Sequence, residues 1–181
     1  MRKVIAAINI SLDAYCDHTM ITPDEELHEH YTALLRQGSI ILYGRVTFQL
    51  MEFWPTLLEK PSGNPSMDEF AQVMDRIPKL VFSRTLSSID WHSATLASRS
   101  PEEELIHLKS QPGGDILVGS PGLIDYLSAR RLIDEYQLCV HPLIAGKGLP
   151  LFRQTSETLK LRLMKTKQFN SGAMLLYYNA P

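Results

Sequence analysis

Cysteine is scarce in this chain: there are two, Cys16 and Cys139. Neither belongs to a Cys-x-x-Cys pair, and no His or Cys partner stands at metal-ligand spacing, so the pattern of a zinc site or a disulfide-stapled scaffold is missing. With no activating base beside either one in sequence, both read as structural thiols, and the low count fits a reducing compartment. A basic surplus is also missing. The net charge is −2, which argues against a nucleic-acid partner. The one basic stretch, Lys160, Arg162, Lys165 and Lys167, alternates with apolar residues and reads as the solvated face of a strand. The apolar N-terminal run, residues 4–10, is too short to cross a bilayer and has no signal-peptide cleavage pattern. No membrane partner and a cytoplasmic location are expected. Repeats, low-complexity tracts and linkers are absent too, so one domain over 1–181 is expected.

What is present is a recurring junction. Residues 116–118 form a buried strand run, Gly119-Ser120-Pro121-Gly122 a tight turn, and residues 123–132 a helical pattern. A strand entering a glycine turn that opens a helix points free N–H groups and a positive dipole end at an anion. Glycine allows the close approach because it carries no Cβ. The same arrangement occurs at Gly44-Arg45-Val46-Thr47 after a strand at 39–43, and a strand at 79–83 runs into Ser83-Arg84-Thr85. Glycine at such turns also serves purely structural ends, but three of them in one chain point to a phosphate-bearing ligand. Arg45 and Arg84 suit bidentate phosphate contact. The Gly-x-Gly-x-x-Gly fingerprint of Rossmann dinucleotide sites is missing.

Along the rest of the chain, residues 4–10 read as a central strand. A helix follows with Thr22 as N-cap and Pro23 at its first position, running to about Gln37. Residues 55–65 read as a surface loop, 91–96 as a short strand and 101–109 as a helix capped by Ser100. Residues 135–142 and 159–166 read as strands, and Asn170-Ser171-Gly172 as a hairpin turn into a return strand at 173–178. The expectation is a mixed α/β fold, mainly parallel, with an antiparallel edge.

Taken in order, residues 9–13 (Asn-Ile-Ser-Leu-Asp), the Gly44-Arg45-x-Thr47 turn, Ser83-Arg84-Thr85, Gly119-Ser120-Pro121-Gly122 and residues 142–152, with their Gly-Lys-Gly-Leu-Pro-Leu-Phe segment, resemble the dihydrofolate-reductase-like superfamily. Within it the chain looks most like the reductase domain of the bacterial riboflavin-biosynthesis deaminase/reductase and its stand-alone relatives. That resemblance implies a mainly parallel central sheet flanked by helices with a C-terminal antiparallel hairpin. It also implies an NADPH-dependent reductase of a heterocyclic small molecule of pyrimidine or pterin type, often a homodimer. Gly44, Arg45 and Thr47 match the turn at the cofactor phosphates. Ser83, Arg84 and Thr85 match the turn at the adenosine ribose, and Gly119, Ser120, Pro121 and Gly122 the turn at the pyrophosphate. Ala6 and Ile8 belong to the strand that passes beside the nicotinamide. Alternatives are dihydrofolate reduction and a non-catalytic nucleotide-binding paralogue.

Two carboxylates are candidate catalytic orienters. Asp13 either orients substrate or proton donor, or caps its own loop. Glu26 either takes the place of the carboxylate that holds the pterin in dihydrofolate reductases, facing a substrate pocket together with His28, or is a first-turn acid that pairs with the positive end of its helix. Two departures stand out: the family's glycine after the first-loop Asp is Ala14 here, and the spacing to Gly44 is longer than in dihydrofolate reductases. Phe48, Phe53 and Trp54 read as core or pocket wall, His141 as structural, and Lys147 as a solvated loop lysine.

Overall fold

Strands form where apolar runs meet β-branched residues, and helices where caps precede amphipathic segments. The computed structural model describes residues 2–154 and 157–181. These divide into two compact units, one of Arg2 with Asp24–Leu117 and one of Lys3–Pro23 with Val118–Pro181.

In the first unit, helix α1 (Glu25–Gln37) starts at Asp24, whose carboxylate accepts from the Leu27 amide at 2.8 Å. The expected cap was Thr22; Asp24 displaces it because a charged acceptor three residues before a free N–H is the stronger cap. Strand β2 (Gly38–Gly44) leads through Gly44 into α2 (Arg45–Met51), and a short helix α3 (Thr56–Glu59) occupies part of the expected surface loop. Helix α4 (Pro65–Arg76) is one the sequence reading did not find. Asn64 caps it through Ser66 and Met67, and Pro65 opens it. Strands β3 (Lys79–Phe82) and β4 (Ala94–Leu96) follow, then α5 (Pro101–Ser110), held by a Ser100–Glu103 capping box, and β5 (Asp115–Val118). The strand order is β4-β3-β2-β5, with β2–β3 and β3–β4 parallel.

Two buried cations organise this unit. Arg2 donates from Nε to the Gly114 carbonyl at 2.7 Å and from Nη1 to the Leu108 carbonyl at 2.8 Å, and its Nη2 meets Ser39 Oγ. Gly114 is required by packing, since a Cβ there would lie 2.8 Å from the Gln37 carbonyl. Lys79 is 1% exposed. Its ammonium donates to the Met74 and Ile77 carbonyls and to Ser93 Oγ, and lies 3.9 Å from the Trp91 ring centre. It thus closes the C-terminal end of α4, where carbonyls lack intrahelical donors. Burial pushes its pKa down to about 8.

The second unit is built on β1 (Val4–Ser11), which pairs in parallel with β6 (Glu135–His141). Strand β8 (Met174–Asn179) pairs antiparallel with β6, and β7 (Arg162–Gln168) with β8, giving the order β1-β6-β8-β7. The 169–173 turn closes the C-terminal hairpin, with Gly172 at φ 85°. Helix α6 (Pro121–Ser128) buries Leu123, Ile124 and Leu127, each contributing about 1.5–3 kcal/mol. It ends four residues earlier than expected, in a turn where Arg131 takes a left-handed φ of 57°. Strand β7 begins three residues later than expected, because Leu159 and Leu161 turn toward a cavity beside Tyr136 and Phe152. Every β7 residue is exposed, and its Arg162, Lys165 and Lys167 suit an edge strand. The fold is α/β, mainly parallel and flanked by helices, with a C-terminal antiparallel hairpin.

Candidate functional site

In the first unit, β2 and β3 run side by side with Gly44 in register with Phe82, so the two arginine turns leave the sheet from neighbouring carboxyl ends. In open α/β sheets those ends carry the ligand. Arg45 and Arg84 are both exposed. Arg45 donates to Gln49 Oε1 at 3.0 Å along its own helix. Arg84 makes no hydrogen bond or ion pair among the described residues. Ser83 shapes the turn beneath it: its Oγ accepts from the Thr85 amide at 3.1 Å and the Leu86 amide at 2.9 Å, and lies 3.5 Å from Thr85 Oγ1. Thr47 is half-buried one turn into α2, and Glu26 is half-buried in the first turn of α1.

The first unit also gathers an aromatic group the sequence reading left open. His28 is buried, with its ring 5.8 Å from Trp54 and 5.9 Å from Phe70. Phe53 packs on Trp54 at 5.5 Å and stays half exposed. Burial lowers the His28 pKa, and the Asp24 carboxylate and carbonyl oppose that shift. Phe48 is core.

In the second unit, Gly119 and Ser120 lead into Pro121 and Gly122 at the start of α6. Gly122 is exposed, and a Cβ on it would meet nothing within 4 Å. No packing within the protein therefore demands glycine there. Ala6 and Ile8 are buried with side chains on the core face of β1. The alternate positions Ala7 and Asn9 remain half-buried.

Asp13 is engaged within the protein. Its Oδ1 accepts from Ser11 Oγ at 2.6 Å and the Ala145 amide at 2.9 Å, and its Oδ2 from the Gly146 amide at 2.8 Å. The Ser11 hydroxyl first, then the Ala145 and Gly146 amides, hold its pKa down at about 2. At neutral pH it is an ionised acceptor and carries no proton to give. Around it the first loop is zipped to residues 143–151: Leu12 donates to the Leu143 carbonyl, Cys16 to Leu149 and Leu151 to Ala14. Ala14 sits at φ 63°. The loop thus needs a left-handed residue at this position, which accounts for the glycine of the related pattern and makes alanine strained.

The two cysteines differ. Burial pushes the Cys16 thiol up to about 11, so it stays protonated. For Cys139 the sequence reading found no adjacent base; period-two alternation puts His141 Nε2 3.6 Å from its sulfur, and the same nitrogen donates to Asn9 Oδ1 at 3.0 Å, so it is not a base toward the thiol. The contact of Asn9 with His141 was not expected from the sequence. Asn9 is 132 positions from its partner, and only the strand register brings the two together. Among the described residues no group of three or more His, Cys, Asp or Glu could hold a metal ion, and no helix is long and apolar enough to cross a membrane.

Comparison with known proteins agrees with this architecture. YyaP of Bacillus subtilis (strain 168), an uncharacterised protein, is 31% identical over 186 residues, covering 98% of this chain and 95% of YyaP. A putative riboflavin biosynthesis protein from Shewanella sp. PV-4 superposes with a TM-score of 0.75 at 18% identity, covering 100% of this chain and 99% of that one. The deaminase/reductase of Thermotoga maritima, diaminohydroxyphosphoribosylaminopyrimidine deaminase/5-amino-6-(5-phosphoribosylamino)uracil reductase, superposes with a TM-score of 0.67 at 18% identity, over 99% of this chain and 57% of its own. The family model for the RibD C-terminal domain matches residues 2–175, and with that match the chain belongs to the RibD C-terminal domain family, within the dihydrofolate-reductase-like superfamily.

Proposed function

We propose that this protein is an NADPH-dependent reductase of a heterocyclic substrate of pyrimidine or pterin type, as the reductase named in the Thermotoga structure acts on a uracil derivative. The observation that carries the reading is the pair of exposed arginine turns at adjacent carboxyl ends of β2 and β3. An always-charged planar guanidinium with no partner among the described residues, flanked by two hydroxyl side chains, suits the 2′-phosphate that distinguishes NADPH from NADH. Arg84 holds that phosphate, with Ser83 and Thr85 beside it, and Arg45, Gly44 and Thr47 serve the cofactor phosphates. Gly119, Ser120, Pro121 and Gly122 serve the pyrophosphate, and the open Cβ direction of Gly122 fits close approach of a ligand. Ala6 and Ile8 lie in the strand assigned to the nicotinamide. The cofactor, when bound, supplies the hydride.

Of the two carboxylates, Glu26 is the orienter of substrate. Asp13 fixes the loop and gives no proton, so the proton comes from another group or from water. The protein works as a homodimer in the cytoplasm.

The test is calorimetric titration with NADPH and NADH, alongside Arg84→Ala. Binding of NADPH at least about tenfold tighter than NADH, with that preference lost in the variant, is the expected result. Failure of both nucleotides to bind would sink the reductase reading. Light scattering that returns the mass of one chain would remove the homodimer.

A further inference from the structure

The C-terminal hairpin of the second unit has two unlike faces. Residues paired across antiparallel strands share a face, so Tyr136 on β6, Tyr178 on β8 and Leu163 on β7 form one row. Lys165 pairs with Tyr177 on the other face, and its ammonium lies 4.2 Å from that ring centre. Helix α6, the one helix of this unit among the described residues, packs on the face of Tyr136. The Tyr136 hydroxyl donates to Ser128 Oγ at 2.9 Å, in the last residue of α6. Farther out on the same face, Met174, Leu176 and Tyr178 are only half-buried, and Leu163 is 51% exposed. Apolar side chains on the hairpin are thus left without full cover among the described residues.

Beside this face lies a hollow. A cavity of about 420 Å³ has Tyr136, Phe152, Leu159 and Leu161 in its walls and Glu157 at its mouth. Leu163 follows Leu161 by two positions, so in an extended chain it points the same way and stands next to the hollow as a knob. A knob beside a hollow on one surface is self-complementary under a two-fold rotation. Charges of both signs flank the pair. Glu157 is exposed and meets Arg131 at 3.1 Å, while Lys160 and Arg162 are exposed and make no ion pair among the described residues. Joining two β7 edges is the less favourable way to bring two copies together. A register shift interrupts β7 between Leu163 and Lys165, and antiparallel pairing would set its cations against those of the other copy.

We propose that a second copy of this chain docks on this face, about a two-fold axis, with Leu163 of each protomer entering the hollow of the other against Phe152 and Leu161. Lys160 and Arg162 of one protomer then face Glu157 of the other around the rim. The proposal rests on the homodimer reading and says where that dimer is joined. An apolar centre inside a charged rim is the anatomy of a specific interface. The contact lies at the C-terminal end of α6, and the Gly119–Gly122 turn lies at its start. Dimerisation therefore leaves that turn open to a ligand, and separating the protomers leaves cofactor affinity unchanged.

The experiment is sedimentation equilibrium of the full chain, with Leu163→Asp and, as control, Ile106→Asp on α5, where the side chain is 70% exposed. Wild type is expected to dimerise. Leu163→Asp should raise the dimer Kd by about thirtyfold or more, as loss of a central apolar anchor does, and Ile106→Asp should leave it unchanged. Hydrogen exchange on wild type gives a second reading: the amides of Leu161, Leu163 and Met164 should slow as protein concentration crosses the dimer Kd. A dimer whose Kd is indifferent to Leu163→Asp, or exchange at those amides that ignores concentration, overturns this interface and leaves the homodimer standing. A wild type with the mass of one chain removes the homodimer and this interface with it. Thermal midpoints measured at dilutions where wild type is monomeric should agree between wild type and Leu163→Asp. A lower midpoint in the variant would show that Leu163 serves the fold of the single chain, and overturns the proposal too.

Discussion

The clasped loop of the second unit and the arginine turns of the first handle charge in opposite ways. Around Asp13, three donors from the chain itself surround one carboxylate, and two segments more than a hundred residues apart are held together by it. At Arg84 the charged group meets no partner among the described residues and stands in solvent. Asp13 is offered by the sequence as an orienter of substrate or proton donor or as a loop cap, and its hydrogen bonds make it a structural anchor. Arg84 is offered by the sequence as a phosphate contact, and its lack of a partner among the described residues leaves it available for one. A charged side chain is available for function to the extent that the fold has not already satisfied it.

Substitution at the two sites gives the sharpest contrast. Asp13→Ala should release the loop pair, lowering hydrogen-exchange protection at the Ala145 and Gly146 amides by about tenfold or more, while Arg84→Ala leaves exchange and thermal midpoint unchanged. If Arg84→Ala unfolds the protein as readily as Asp13→Ala, the contrast fails. Acid titration sharpens it next. Because the folded Asp13 pKa is about 2, below its usual 3.8, its contribution to stability is present above about pH 4 and is lost as pH falls toward 2. Asp13→Asn should flatten that part of the acid limb in a denaturation series, and an unchanged limb would contradict the clasp.

Gly122→Ala should weaken NADPH binding severalfold while the thermal midpoint holds or rises slightly, as alanine is the better helix former by about 1 kcal/mol in a helix interior and less near an end. Unchanged affinity would remove the pyrophosphate assignment of that turn. The smallest effect is expected at Ala14→Gly. Relief of a left-handed alanine, about 1 kcal/mol, is partly offset by the entropy glycine adds to the unfolded chain. A net gain of about 0.5 kcal/mol in urea denaturation is expected, and a loss would mean the loop prefers alanine for contacts of its methyl group.

Local signals made most of the fold legible. Ser100 with Glu103 announces α5, the 116–118 run announces β5, and the Asn-Ser-Gly turn announces the hairpin, each through interactions a few residues long. Helix α4 carried such signals too, in Asn64, Pro65 and Asp68, but the prolines and glycine of the preceding stretch masked its start. The ends of α6 and β7 depended on packing, which spacing does not encode. At the candidate site the arginine turns were legible, because a turn is a local object. The true environment of Asp13 and the contact of Asn9 with His141 were not. Each is created by strand pairing or loop contact between distant segments, and one register step would abolish it.

The closure of α4 by Lys79 has a use in amine chemistry. An acylating reagent reaches exposed Lys60 at once, but Lys79 is sealed by carbonyls and an indole face. Since its pKa of about 8 leaves much of the amine neutral in mildly alkaline buffer, access and not protonation limits its labelling. The rate at which Lys79 takes up label, set against Lys60, is therefore a built-in clock for how often the end of that helix opens.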